Sequence, residues 1–164
     1  MTESKIAKMI FEKWLRSDVA AHNIHHFPFE SDVLALKPSG MLIEYEIKLS
    51  VSDFRADAKK SCKDRFNTFS RYDFLLSGKG ANKFYYVMPK DILDKVRDEI
   101  PDFAGIITVN KVGRSYKDLD TGQQVYYDIY RPCIVRKPKT LHSRKFDISE
   151  QLKTAMYWKA WNMI

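Results

Sequence analysis

The feature that most constrains the fold is a pair of apolar segments separated by a three-residue turn. Residues 32–37 and 41–49 are rich in Leu, Ile and Val, and a Pro-Ser-Gly turn at 38–40 lies between them. Proline fixes φ and glycine permits the positive φ that tight turns need. The pattern predicts a β-hairpin, and the Ser-Val-Ser-Asp sequence at 50–53 predicts that a capped helix follows it directly.

The remaining periodicity predicts further helices and strands around this hairpin. Apolar residues recur at helical spacing over residues 3–16, and residues 22–30 are predicted as a loop. The helix after the hairpin is predicted to run to about Lys63. Other strands are predicted at 83–88, 104–109 and 125–135, and other helices at 91–98 and 147–162. This mixed order predicts an α/β fold, with a central mixed sheet flanked by helices in one domain over residues 1–164.

Length and composition exclude several classes of protein. The chain has 164 residues and 45% hydrophobic content, which is enough for one folded core. No apolar run approaches the roughly 18 residues of a membrane span, so we expect no membrane partner. No secretory signal is evident, and we expect a cytoplasmic protein. Cys62 and Cys133 are not in zinc-ligand spacing.

The net charge of +7 is concentrated in one part of the chain. Residues 131–145 carry six bases and no acid: Arg131, Arg136, Lys137, Lys139, Arg144 and Lys145. Such a stripe suits the phosphate backbone of DNA, because binding releases condensed counterions. Lys59, Lys60 and Lys63 form a second candidate group on the helix after the hairpin. For both groups, a solvated basic face without a partner is the alternative.

The tyrosines also allow two interpretations. The relevant residues are Tyr85, Tyr86, Tyr126, Tyr127 and Tyr130. Their number suggests base stacking, as in proteins that bind single strands. Packing within the strand core is the stronger interpretation for most of them.

Two carboxylates and a lysine are expected to meet at one end of the hairpin. Alternation along a strand places Glu44, Glu46 and Lys48 on one face, although a solvated polar face gives the same pattern. Asp32 begins the neighbouring strand, at the correct end to lie near Glu46. Carboxylate oxygens suit Mg²⁺ or Mn²⁺, and a lysine beside them offsets negative charge on a phosphate. The constellation therefore predicts metal-assisted cleavage of a phosphodiester bond.

Asp32 followed by Glu46-Ile47-Lys48 resembles the signature of the PD-(D/E)xK nuclease superfamily. The run 44–57 is similar to small phage and bacterial members, some assigned to DNA repair, and segments 83–89 and 104–107 fit their later strands. The resemblance implies a restriction-endonuclease-like core and Mg²⁺- or Mn²⁺-dependent cleavage of DNA in a bacterial or phage-infected cell. It also implies that Asp32 and Glu46 bind the metal and that Lys48 assists catalysis.

The chain departs from this pattern at several positions. Ser31 replaces the proline before the first acid, and Glu44 adds a second acid with which metal binding could be shared. Glu12 is the candidate for the acid that many members add from their first helix. Two alternative functions stay open: an inactive member that binds DNA or a protein, and an enzyme acting on RNA. A homodimer or a complex with a protein partner also stays open.

Overall fold

The computed structural model describes residues 1–14, 19–63 and 67–161 and contains a mixed six-stranded sheet with order β1-β2-β3-β6-β7-β8. The strands of this sheet are β1 (Val19–Ile24), β2 (Ser31–Leu36), β3 (Leu42–Ile47), β6 (Lys83–Pro89), β7 (Gly105–Lys117) and β8 (Gln124–Arg136). A small hairpin comprises β4 (Ser61–Lys63) and β5 (Thr68–Ser70). The helices are α1 (Glu3–Trp14), α2 (Val51–Ala58), α3 (Arg71–Leu76), α4 (Lys90–Val96) and α5 (Ser149–Trp161), with a 3-10 turn at Arg97–Glu99.

The direction of the strands defines two edges of the sheet. β1, β2 and β3 form an antiparallel meander, β6 pairs parallel to β3, and β7 pairs parallel to β6. Parallel neighbours need a crossover, which α2 and α3 supply before β6 and α4 supplies before β7. The ends of β3, β6 and β7 therefore lie together along what we call the carboxyl edge. Their beginnings lie along the opposite side, which we call the amino edge.

Local sequence accounts for the turn and for two of the helix starts. Gly40 has φ +78° in the turn between β2 and β3, a conformation that favours glycine. Ser50 caps α2 by accepting a hydrogen bond from the amide of Asp53. Ser70 and Asp73 form a reciprocal capping box at the start of α3. The turn at Gly40 sets where β3 begins, and the two caps set where α2 and α3 begin in the crossover between β3 and β6.

Apolar side chains cover both faces of the sheet. On one face α1 contributes Ile6 and Ile10 to a cluster with residues of β2, β3, β6 and β7. On the other face Phe54 of α2 and Leu93 of α4 pack on Phe84 and its neighbours. A third cluster joins Leu152 of α5 to β1 and β2. The sheet is consequently sandwiched between helices.

The segment 137–148, which we call the crossing segment, runs back along the amino edge without regular secondary structure. Its backbone amides donate to carbonyls at the beginnings of successive strands: Lys139 to Phe103, Leu141 to Asn82 and Phe146 to Gly40. The buried Asn82 side chain donates to the carbonyls of His142 and Arg144 and accepts from the amide of Leu42. This segment thus ties the outer strand back to the first hairpin.

The β7–β8 hairpin is much longer than the rest of the sheet. β6 ends at Pro89, opposite Val109, whereas β7 and β8 remain paired as far as Lys117 and Gln124. Residues 110–131, which we call the β-arm, therefore project beyond the carboxyl edge. β8 is one of the two outer strands of the sheet, and the carbonyl of Pro132, its ninth residue, accepts a hydrogen bond from Lys13.

The predicted α/β architecture with a central mixed sheet flanked by helices is confirmed. The predicted loop at 22–30 was wrong at its start, because β1 extends to Ile24. The helix predicted to reach Lys63 ends at Ala58, and residues 61–63 are a strand. The last residues of the helix predicted at 3–16 and of that at 147–162 lie outside the described residues. Within the part of the chain that is described, no helix has the length and apolarity to span a membrane.

Candidate functional site

Asp32, Glu46 and Lys48 converge at the carboxyl edge of the sheet. Asp32 begins β2, and its Oδ2 accepts a hydrogen bond of 2.6 Å from the amide of Ile47 at the end of β3. Lys48 Nζ donates to Glu46 Oε1 at 2.7 Å. Because two paired strands hold these groups, their relative positions are set by the sheet and not by a loop.

The polar face of β3 is buried, so the interpretation as a solvated face was wrong. Glu44, Glu46 and Lys48 are 3%, 1% and 2% exposed. Burying a charge costs several kcal/mol unless other groups compensate it. The neighbouring elements must therefore supply partners for these three side chains.

Arg71, at the start of α3, is the main partner and was missed by the sequence analysis. Its Nη2 lies 2.6 Å from both Glu44 Oε1 and Glu46 Oε2, and its Nη1 lies 3.0 Å from Asp57 Oδ1. The arginine is 2% exposed, and these three acids outweigh burial and raise the pKa of its guanidinium. One buried cation thus joins α2, α3 and β3.

Asp57 of α2 is the second residue that sequence reasoning missed. It is fully buried, and its carboxylate accepts hydrogen bonds from Arg71 and from the Tyr86 hydroxyl at 3.0 Å. Lys60 Nζ lies 3.0 Å from Asp57 Oδ1, and Lys48 Nζ lies 3.5 Å from the same atom. Although burial opposes ionisation, Arg71, Lys48 and Lys60 lower the pKa of Asp57 to about 2. Asp57 is therefore ionised at neutral pH and positions the cations around it.

Asp32 and Glu46 behave in the opposite way. Burial raises the pKa of Asp32 to about 6 and that of Glu46 to about 8, and the charge on Asp32 adds to the shift at Glu46. Burial also opposes the charge on Lys48, but Glu46, Asp57 and Asp53 outweigh it and raise the pKa of the lysine. Lys48 is consequently a fixed cation beside two carboxyl groups that are costly to ionise.

The two additional candidate acids have different surroundings. Glu44 Oε1 accepts from Ser31 Oγ at 2.7 Å as well as from Arg71, so Glu44 anchors the arginine. Glu12 pairs with Lys8 on the exposed surface of α1 and is not brought to the cluster. The acid of α1 that acts on Asp32 is Glu3, whose charge contributes to the raised pKa of Asp32. Glu3 lies nine residues before Glu12, which is about 13 Å along a helix.

The carboxylates of Asp32 and Glu46 are chemically suited to Mg²⁺, but within the described ranges only Asp32 has an oxygen without a donor. Among the described residues, no three Asp, Glu, His or Cys side chains are grouped in a way that would hold a metal. Mg²⁺ nevertheless binds proteins through only one or two carboxylates and takes its remaining ligands from water and substrate phosphate. Asp32 Oδ1 has no hydrogen-bond donor within the described part of the chain, whereas both oxygens of Glu46 are engaged by Lys48 and Arg71.

The predicted basic stripe 131–145 does not form one surface. Lys137, Lys139, Arg144 and Lys145 lie on the crossing segment, at the amino edge, and their side chains are exposed there. Arg136 donates to the carbonyls of Ala104 and Pro101, at 2.9 and 2.6 Å, so its interpretation as a DNA contact is not supported. Arg131 is exposed on the β-arm, beyond the opposite edge.

The second group of predicted cations is divided in the same way. Lys60 belongs to the buried cluster through its pairs with Asp57 and Glu46, and its side chain is 49% exposed. Lys59 ends α2, and Lys63 lies on β4, and both are exposed. Lys60 is therefore the member of this group that joins the cluster to the surface.

The tyrosines separate into a buried pair and an exposed group. Tyr85 and Tyr86 are buried in β6, as the packing interpretation predicts. Tyr126 and Tyr127 are 78% and 47% exposed on the β-arm, so for these two residues the packing interpretation was wrong. Apolar and polar residues alternate in the same way in a half-buried strand and in a ribbon that is exposed on both faces. The sequence pattern therefore could not show that these tyrosines are exposed.

Comparisons with known proteins support the fold and give no information on function. No protein-family model matches the sequence, and no curated protein matches it significantly. A solved structure, the SPO1766 protein of unknown function from Silicibacter pomeroyi, is similar with a TM-score of 0.54 and 16% sequence identity. The similarity covers 96% of this chain and 82% of that chain. Because the sequence identity is so low, this similarity shows a shared fold and nothing about function.

Proposed function

We propose that this protein is a metal-dependent nuclease that hydrolyses phosphodiester bonds of DNA. The observation that carries the proposal is the convergence of Asp32, Glu46 and Lys48 at the carboxyl edge, with Lys48 Nζ 2.7 Å from Glu46 Oε1. Two carboxylates and a fixed cation on rigid strands match what the resemblance to PD-(D/E)xK nucleases implies. The DNA-repair or phage setting and the cytoplasmic location belong to the same proposal.

Each residue of the cluster has a distinct part in this mechanism. Asp32 and Glu46 would hold the Mg²⁺ or Mn²⁺ ion, which supplies an activated water and offsets charge on the phosphate. Lys48 stays protonated and stabilises negative charge on the phosphate as water adds to phosphorus and the P–O bond breaks. Arg71 and Asp57 are positioning residues, because they fix Glu46 and Lys48 from the buried side.

The direct test is a cleavage assay on supercoiled and single-stranded circular DNA with Mg²⁺, Mn²⁺ or EDTA. We expect metal-dependent cleavage by the wild type and a loss of at least about a hundredfold in Glu46→Gln and Lys48→Met. Glu12→Gln is the matched control, since it neutralises an exposed acid outside the cluster and should cleave like the wild type. Circular dichroism confirms that each variant is folded. Cleavage that survives in both cluster variants contradicts the proposal.

The main alternative is a catalytically inactive protein of this fold that binds DNA or a protein partner. The observation that favours it is the occupancy of Glu46, whose two oxygens already pair with Lys48 and Arg71 at 2.7 and 2.6 Å. Titration calorimetry with Mg²⁺ and Mn²⁺ separates the two functions. Heat at millimolar metal that disappears in Asp32→Ala supports the enzyme, and no heat in the wild type supports the inactive protein.

An enzyme acting on RNA is the remaining alternative, because contacts to phosphate do not distinguish the two sugars. Cleavage of matched DNA and RNA oligonucleotides decides between them. Faster cleavage of RNA would mean that RNA is the substrate, and the roles proposed for Asp32, Glu46 and Lys48 would stay the same.

A further inference from the structure

We propose that the β-arm is a duplex-binding element that lies in the major groove of DNA and holds the duplex beside the carboxyl edge. The inference rests on the proposed function for its choice of partner. It names the contact surface, which the buried cluster itself does not provide.

The first argument is the direction of the arm. β7 runs parallel to β3 and β6, so its extension projects from the same edge at which Asp32, Glu46 and Lys48 converge. β7 is two strands away from β3 in the sheet, a lateral distance of about 10 Å. A nucleic acid held along the arm therefore passes close to the cluster.

The second argument is size. Residues 110–117 and 124–131 supply eight residues on each strand, which is about 27 Å of ribbon. The major groove is about 12 Å wide and admits a two-stranded β-ribbon. The arm is long enough to follow the groove for about eight base pairs.

The third argument is the composition of one face of the arm. Register and alternation place Arg114 and Arg131 on the same face, together with Tyr116, Tyr127, Val112, Val125, Ile129 and Asn110. This face carries two arginines and no acid. It continues from Thr108, which lies beside Met88. Both residues lie on the sheet face that α2 and α4 cover, and Glu46 lies on the same face. We call it the arginine face.

The opposite face of the arm has a different character. Lys111 pairs with Asp128 at 2.8 Å, and Tyr130 packs against the core cluster under α1. In contrast, neither Arg114 nor Arg131 has an acidic partner within 4 Å among the described residues, and both are exposed. Unpaired guanidinium groups next to exposed tyrosine rings are suited to phosphates and base edges.

The test is the binding of a fluorescent 20-base-pair duplex in EDTA, measured by anisotropy over a range of salt concentrations. We expect R114A/R131A to bind about tenfold more weakly and to lower the slope of log K against log salt by about two. The matched control is K111A/K117A, which removes the same charge from the other face and should bind within about threefold of the wild type. Circular dichroism verifies folding of both variants.

Three binding results overturn the inference: equal binding by both double variants and the wild type, equal weakening of both variants, and a wild type that binds no duplex. A change of oligomeric mass in R114A/R131A also overturns it, because the face would then join two copies of the chain. The cleavage assay separates this inference from the proposed function. Duplex binding through the arm by a wild type that cleaves nothing refutes only the nuclease, and cleavage with unchanged binding in R114A/R131A refutes only the arm.

Discussion

The buried cluster and the β-arm use charge in opposite ways. In the cluster, Glu44, Glu46 and Asp57 share one guanidinium, and every member of this network is at most 3% exposed. On the arm, Arg114 and Arg131 lie in solvent without an acidic partner in the described structure. The cluster must compensate its charges inside the protein, because burial shields these side chains from solvent. The arm leaves its charges open, which is what a binding surface for an anion requires.

Breaking the cluster should have the largest effect on stability. Arg71→Met leaves the buried carboxylates of Glu44 and Asp57 and the carboxyl group of Glu46 without their shared cation, and we expect a loss of about 3–5 kcal/mol in the free energy of unfolding. Urea denaturation at pH 7 measures the loss.

Arg55→Met is the matched control, because Arg55 also pairs with a carboxylate, that of Glu99 at 2.7 Å, but on the surface. We expect its denaturation midpoint to stay close to that of the wild type, since exposed pairs are screened by water. Similar losses in the two variants would contradict the contrast between buried and exposed pairs.

The second effect is a dependence of stability on pH that arises in the cluster. The pKa of Glu46 is raised to about 8 in the folded state. Between about pH 4.5 and 8 the folded protein keeps a proton that the unfolded chain has released, so stability falls as pH rises. Asp32, with its pKa raised to about 6, adds to the fall at the lower end of this range. Asp57 acts in the opposite direction, and its contribution is lost as pH falls from about 4 to 2.

Unfolding curves between pH 6 and 8 in EDTA isolate the contribution of Glu46. We expect wild-type stability to fall across this range by an amount on the order of a few kcal/mol and Glu46→Gln to show a clearly smaller fall. Parallel curves for the two proteins would refute the assignment.

The third effect concerns the start of β7, at the amino edge of the sheet and away from the arm. A Cβ atom on Gly105 would lie 2.4 Å from Cδ1 of Tyr85 on the neighbouring strand. Tyr85 cannot easily move, because its ring is stacked on Tyr45 at 5.2 Å. Gly105→Ala should therefore lose about 1–3 kcal/mol in thermal or chemical unfolding. Gly113→Ala is the control on the exposed part of the same strand, since a Cβ there meets no atom within 4 Å.

The smallest effect on stability is expected on the arm itself. R114A/R131A removes two exposed side chains that contact no core cluster, and the free energy of unfolding should change by no more than about 0.5 kcal/mol. Differential scanning calorimetry checks this expectation. A larger loss would show that the arginine face supports the fold, and the contrast with the cluster would fail.

The sequence predicted those parts of the site that depend on local order. The turn at 38–40 and the cap at Ser50 are local signals, and alternation alone places Glu44, Glu46 and Lys48 on one face. Asp32 could be placed near Glu46 because the hairpin turn sets which ends of the two strands meet.

The sequence could not predict the partners that tertiary contacts supply. Arg71 is 25 residues from Glu46, and its role depends on how the first crossover places α3. Asp57 follows Asp53 by one helical turn, which is the one signal that could have indicated an acid facing the sheet. The basic stripe was misjudged for the same reason, since proximity in sequence did not show that Arg131 and Lys145 lie beyond opposite edges.

The position of Pro132 in the outer strand has a consequence for the behaviour of the protein in concentrated solution. A thirteen-residue edge strand would normally offer a row of open backbone groups to which another chain could add as a new strand. Proline has no N–H to offer such a chain, and the hydrogen bond from Lys13 covers its carbonyl. β8 is thus interrupted at Pro132, its ninth residue, which disfavours aggregation through pairing of this strand with a strand of another molecule.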